Sequence, residues 1–228
     1  MATQVETIEV ETKDCTALSD GELGEMADLC HGGPAGFDMG FLSKQPEAWV
    51  LVTQARIADR LVGFSFCTLE RIGGTPSMLV GVASTKPSKR ADDILASLMG
   101  DQYRRAVLAF PDEDVLVGTR MIDPVAYAAF AGLEEVVPRP GHRATGEERA
   151  WGRRLAKRFW AEGRIDDRRF VIEGNGSVCG LLEHNDTTKP ADPELGELFA
   201  GLDHERHDCL VTFGWAMAED LAARRLGS

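Results

Sequence analysis

Paired cysteines, long apolar runs and positive net charge are all missing from this chain, and each absence removes a class of protein. The five cysteines, Cys15, Cys30, Cys67, Cys179 and Cys209, are odd in number, widely spaced and without a C-x-x-C pair, so neither a disulfide framework nor a zinc ribbon is expected. Free thiols in the reducing cytoplasm fit that usage. No stretch approaches the roughly 18 apolar residues of a membrane span, and the opening M-A-T-Q-V-E-T-I-E-V-E has no basic region ahead of an apolar run. Neither export nor a membrane partner is therefore expected. A formal net charge of -12 repels a phosphate backbone at long range and argues against nucleic acid. No G-x-S-x-G elbow of a serine hydrolase occurs. In D-H-E-R-H-D-C, Asp203 to Cys209, the histidines stand three apart rather than at H-E-x-x-H spacing, so no metal site is expected. Acidic neighbours would raise the Cys209 pKa and disfavour a thiolate nucleophile there.

What is present is enough for one core. A chain of 228 residues with 43% hydrophobic residues is expected to form a single domain over 1–228, with no internal repeat. Thr7 to Glu11 alternates like a short strand, and Ser19 or Asp20 caps a helix with Leu23, Met26, Ala27 and Cys30 on one face. H-G-G-P at His31 to Pro34 ends that helix. The apolar period then changes to two, giving strands at Trp49 to Thr53, Leu61 to Arg71 and Pro76 to Ser84, with Gly73-Gly74 as the hairpin turn between the last two. Asp92 to Phe110 carries Leu95, Met99, Ala106 and Phe110 on one helical stripe, with Ile94 and Leu98 beside it. Pro111 stops the helix. A strand at Val115 to Met121 and an alanine-rich helix from Asp123-Pro124 to Phe130, closed at Gly132, complete residues 49–133.

Beyond Pro138 the composition shifts. Between Arg139 and Arg169 stand ten Lys/Arg against five Asp/Glu, a basic island in an acidic chain. A helix from Thr145 or Gly146 carries Trp151, Leu155 and Phe159 at i, i+4, i+8 and turns its arginines outward. The island reads either as a solvated face or as a seat for a phosphorylated or acidic ligand. Strands at Arg169 to Glu173 and Val178 to Glu183, a polar loop from His184 to Asp192, a helix through Phe199, a strand at Cys209 to Phe213 and a helix at Ala216 to Leu226 make 139–228 a C-terminal part that completes the sheet.

The succession of hairpin, long helix, strand and alanine-rich helix over Trp49 to Leu133 resembles the GCN5-related N-acetyltransferase (GNAT) superfamily. That resemblance implies an α+β (mixed α/β) fold, with a central, mostly antiparallel sheet flanked by helices. It also implies acetyl-CoA or another acyl-CoA as co-substrate, a small-molecule or protein amine as acceptor, and a possible homodimer. In the family the strand after the hairpin bulges beside the pantetheine arm, and a following Arg/Gln-x-x-Gly-x-Gly/Ala turn holds the pyrophosphate on backbone N–H groups at a helix start. The matching stretch, Val82 to Leu95, implies Val82 and Ser84 along the arm, with Lys86, Ser88, Lys89 and Arg90 at the phosphates. Both glycines of the signature are absent, and Asp92 and Asp93 read as capping carboxylates that compete with a phosphate for the same donors. Lys86, Lys89 and Arg90 are the side chains available to compensate. In D-P-V-A-Y-A-A-F, Asp123 to Phe130, Phe130 stands where the family's general acid, a tyrosine, is expected. Tyr127 on the same helical face is the substitute, or else a core tyrosine, and Glu70 is the nearest candidate base, or else an exposed hairpin residue. Acyl transfer to an amine is one expected function; a non-catalytic module that binds a metabolite or a protein on the same fold is the other.

Overall fold

The computed structural model describes residues 6–33, 36–184 and 192–227. Strand β1 (Glu9–Asp14) leads into helix α1 (Asp20–Cys30), whose start is fixed reciprocally: the Glu22 N–H donates to Ser19 Oγ, and the Ser19 N–H donates to the Glu22 carboxylate. Asp38 caps α2 (Met39–Leu42). Strands β2 (Leu51–Ile57), β3 (Arg60–Ile72) and β4 (Thr75–Thr85) form an antiparallel meander. The expected Gly73-Gly74 turn joins β3 to β4, with both residues at positive φ, 60° and 91°. Helix α3 (Ala91–Ala109) and β5 (Val115–Met121) fall where the pattern places them. The alanine-rich segment is a 3-10 helix over Pro124–Phe130, followed by β6 (Glu134–Val137).

Helix α4 (Gly146–Arg158), capped by Thr145, is followed by the short strands β7 (Ile165–Asp166), β8 (Val171–Ile172) and β9 (Leu182–Glu183), and by α5 (Pro193–Phe199). β10 (Cys209–Ala216) and α6 (Ala218–Ala222) end the order. The strands expected at Arg169–Glu173 and Val178–Glu183 thus contract to pairs of residues. β10 extends past Phe213 because Gly214 to Ala216 continue the pairing with β5. Most of the loop expected between His184 and Asp192 lies at 185–191, outside the described residues.

Among the described residues, ten strands form one sheet in the order β1-β2-β3-β4-β9-β5-β10-β8-β7, with β6 on β10. Every pairing is antiparallel except those among β4, β5 and β9. The fold is therefore mixed α+β around a mostly antiparallel sheet. Side-chain alternation decides what each face meets. Gly63 and Ser65 of β3 face α3: a Cβ at Gly63 would fall 2.6 Å from Ile94, and Gln102 donates to Ser65 Oγ at 2.8 Å. Phe64 turns to the other face with its partner Gln54, which donates to Glu22 of α1 at 2.9 Å. Leu95 and Met99 of α3, and Phe110 at its C-terminal cap, join the large core, as their stripe predicts, while Ile94 and Leu98 close a smaller cluster with Ala55 and Val62.

β4 and β5 are parallel neighbours only over Ser77–Leu79 and Leu116–Gly118. Beyond that, two residues of β4, Gly81 and Val82, stand opposite the single Phe66 of β3. Such a bulge bends the strand and increases its twist, so β4 leaves β5 and a gap opens.

Candidate functional site

The gap between β4 and β5 is filled by the chain itself. Strand β9 enters it, with Leu182 paired to Ala83 on one side and to Met121 on the other, and Glu183 paired to Ser84. The Ala83 N–H donates to the Leu181 carbonyl at 3.1 Å, and Ser84 Oγ donates to the Glu183 carboxylate at 2.9 Å. That carboxylate lies beside the Gly33 backbone at the end of α1. His184 bridges two elements, with Nδ1 3.2 Å from Thr85 Oγ1 and Nε2 2.7 Å from the Asp92 carboxylate in the first turn of α3. The cysteine nearest this plug, Cys30, is pushed up to about 12 by burial.

The turn before α3 is engaged in the same way. The Lys86 N–H donates to the Val62 carbonyl at 2.7 Å, the Arg90 N–H to Ser88 Oγ at 3.2 Å and the Ala91 N–H to the Ser88 carbonyl at 3.2 Å. Arg90 reaches back to the Glu6 carbonyl at 2.9 Å and stands 3.8 Å from Asp93. Lys86 and Lys89 are exposed, whereas Val82 and Ser84 are fully buried. Between α3, the 3-10 helix and α5 lies a cavity of about 500 Å³ lined by Asp92, Tyr127, Arg139 and Asp192 among others. Two carboxylates face one guanidinium there. The residues present do not fit a coenzyme pyrophosphate and arm: the glycines are absent, the N–H groups of Lys86, Arg90 and Ala91 already have acceptors, Asp92 and Asp93 stand in the first turn of α3, and β9 takes the gap.

The two acid–base candidates stand apart. The Tyr127 hydroxyl donates to the Pro138 carbonyl, its ring packs edge-on to Phe199 at 6.1 Å, and burial pushes the phenol pKa up. Glu70, on β3 near the hairpin, accepts from Arg158 Nε at 2.6 Å, and the cavity that Tyr127 lines does not include it. Phe130 is buried in the core.

A second cavity, of about 490 Å³, lies beside the bulge. Its floor is Trp49, packed so closely on β4 that a Cβ at Gly81 would fall 1.9 Å from the indole ring. Gly180 seats the β9 segment against the same bulge: a Cβ there would fall 2.9 Å from Val82 and 3.1 Å from an Arg120 Nη. Arg120, on β5, is only 5% exposed. Its guanidinium lies over the Phe159 ring at 4.6 Å, its Nε is buried without a hydrogen-bond partner, and among the described residues no carboxylate pairs with it. Cys179 and Cys209 adjoin it. A hydrogen bond from Cys209 holds the Cys179 thiol down to about 6 against the effect of burial, helped by the charges of Arg120 and His207, while Cys209 is pushed up.

Sequence reasoning missed Glu183, His184 and Arg120. For Arg120 a signal existed, a single charge within the apolar strand V-L-V-G-T-R-M. Among the described residues, four of the ten cations of the basic island have carboxylate partners: Arg139 with Glu148, Arg153 with Asp167, Lys157 with Glu162 and Arg158 with Glu70. The Asp203 to Cys209 run is a turn held by Asp208, which accepts from the Gly174 N–H at 2.7 Å and the Asp203 N–H at 3.2 Å. Among the described residues no group of three or more His, Cys, Asp or Glu is placed to hold a metal ion, and no helix is long and apolar enough to cross a membrane.

The bulge on the strand after the hairpin and the helix that follows it are landmarks that the acetyltransferase resemblance implies. No family model matches the sequence, and no curated relative matches it. Among the solved structures similar to it are N-acetyltransferases. A ribosomal-protein-alanine N-acetyltransferase from Brucella melitensis biovar Abortus is 16% identical over 49% of this chain and 79% of its own, with a TM-score of 0.38. The ribosomal-protein-S18-alanine N-acetyltransferase of Escherichia coli is 13% identical over 61% and 86%, with a TM-score of 0.38. An aminoglycoside N-acetyltransferase solved with CoA is 12% identical over 51% and 80%, also at 0.38. Overlap at this level carries no conclusion about activity.

Proposed function

We propose that the chain is a cytoplasmic ligand-binding module on an acyltransferase-like fold, whose coenzyme slot is filled by its own β9. One observation supports this above the others: the Ala83 N–H, on the strand whose donors would meet an acyl-CoA arm, already donates to Leu181, and the residues after Leu181 pair with β4 and β5 together. An arm entering that gap would have to displace a buried strand, a Ser84–Glu183 hydrogen bond and the His184–Asp92 contact.

Thermal-shift titration with acetyl-CoA and longer acyl-CoAs tests it. A ligand at about 100 times its Kd stabilises a fold by about 2.7 kcal/mol, so binding would be plain. We expect no shift with any of them. A saturable shift would instead support the second reading, an acyl-CoA-dependent N-acyltransferase acting on a small-molecule or protein amine. The bulge at Gly81–Val82, with a cavity beside it, favours that alternative, and β9 would then have to leave the slot.

A further inference from the structure

Arg120 is the group in this molecule whose surroundings fit it least. A guanidinium that is buried without an ionic partner loses hydration that nothing replaces, so such groups are normally paired or hydrogen-bonded. Here the fork projects from an apolar strand into a cavity, an aromatic face covers one side, and Nε has no acceptor. Two further cations belong to the lining. Lys44 and Arg164 line the cavity, and Arg164 donates only to the uncharged carbonyls of Glu173 and Trp160. Glu47, exposed, is the carboxylate of the lining. In a chain of net charge -12, a concave site with three cations against one carboxylate selects for anions by contrast with the surface around it. Aromatic rings back the lining: Trp49 and Trp160 stand edge to face at 6.1 Å, Phe159 lies 6.3 Å from Trp49, and Trp160 is 60% exposed.

We propose that this cavity is a binding site for a small molecule with an oxyanion head, carboxylate or phosphate, on an aromatic or apolar body, the head taken by Arg120 and the body by the exposed Trp160 of the lining. A planar guanidinium binds either head through two parallel hydrogen bonds, and the volume suits a small ligand. The inference names the ligand class of the binding module proposed above. It also opposes a cationic amine, which would meet Lys44, Arg120 and Arg164 at once. Cys179 lines the same cavity, with its Sγ directed to the His207 carbonyl at 3.9 Å, and is not needed to hold the ligand head.

Calorimetric titration with phenylacetate, phenyl phosphate and phenethylamine on the full chain tests the site. Saturable binding of one or both anions, with the amine weaker by about tenfold or more, is the expected result; the ratio of the two anions tells carboxylate from phosphate. Arg120→Gln should weaken anion binding by about tenfold or more, as loss of a charge-assisted bidentate contact does. Lys44→Gln, an exposed change that keeps the fold, should weaken it by about two- to threefold. Cys179→Ala should bind at least as tightly as the native chain. Circular dichroism establishes that each variant is folded; if Arg120→Gln is not, Arg120→Lys and Lys44→Gln decide, both binding more weakly than native. The proposal is overturned if no anion saturates the site, if phenethylamine binds as well as the anions, if the charge variants leave affinity unchanged, or if Cys179→Ala abolishes binding. Acyl-CoA binding together with anion binding would remove the closed-slot reading and leave this one standing.

Discussion

Glu22 shows how a single side chain on a surface helix ties three elements together. It accepts from Lys13 of β1 at 2.5 Å, from the Ser19 N–H at 3.0 Å and from Gln54 of β2 at 2.9 Å. Burial opposes its ionisation, yet those donors together hold the carboxyl down to about 2 from an ordinary 4.5. A carboxyl whose pKa is lower in the folded state contributes its full stabilisation above the unfolded value and loses it as pH falls through the folded one. The contribution is therefore complete above about pH 4.5 and fades towards pH 2. Urea midpoints for the native chain and Glu22→Gln should differ most above pH 5 and converge near pH 2. Equal midpoints at pH 6 would mean that the three contacts stabilise nothing. Arg120 is the counterpart at this scale, a charge visible in the sequence as an intruder in V-L-V-G-T-R-M, although nothing in the sequence says that no carboxylate among the described residues pairs with it.

Elements divide by how much of their stability is local. Helices α1 and α4 were legible because each begins with a reciprocal Ser/Thr and Glu cap and carries a clean apolar stripe, and the β3–β4 hairpin was legible because two glycines supply the turn. β9 was not. Two residues have no period, and Ser84 finds Glu183 across 99 positions of chain, a pairing set by the shape of the gap and not by any local preference. The bulge that makes the gap has no local signal either, since Gly81 and Val82 read as ordinary strand, and only the family resemblance implied it. Within α4 the basic residues differ in what they hold. Arg158 pairs with Glu70 and lies 5.1 Å from the Trp49 and Trp160 ring centres, whereas Lys157 and Glu162 are a pair about 70% exposed on both sides. Arg158→Ala should cost about 1–3 kcal/mol in chemical denaturation through lost packing and an unpaired Glu70, and Lys157→Ala should cost less than about 0.5 kcal/mol. Equal effects would show that the helix is attached by its apolar stripe alone.

For the whole molecule, the sheet is two antiparallel halves, β1 to β4 and β5 with β10 and its neighbours, joined directly through the short parallel contact of Ser77–Leu79 with Leu116–Gly118. β9 is a second join, and it can form only when both halves already exist, because its two partners lie one in each. In kinetic terms it is a late event. Contacts absent from the folding transition state slow unfolding without speeding folding, so the β9 join acts as a latch on the lifetime of the native state. Leu182 is fully buried at its centre, and Leu182→Ala should destabilise by about 2–5 kcal/mol. Stopped-flow chevrons should place that loss in the unfolding arm, with the refolding rate of the native chain retained; a slowed refolding arm would instead make the join part of the nucleus. The time the molecule survives between openings would then depend on a strand of two residues, Leu182 and Glu183.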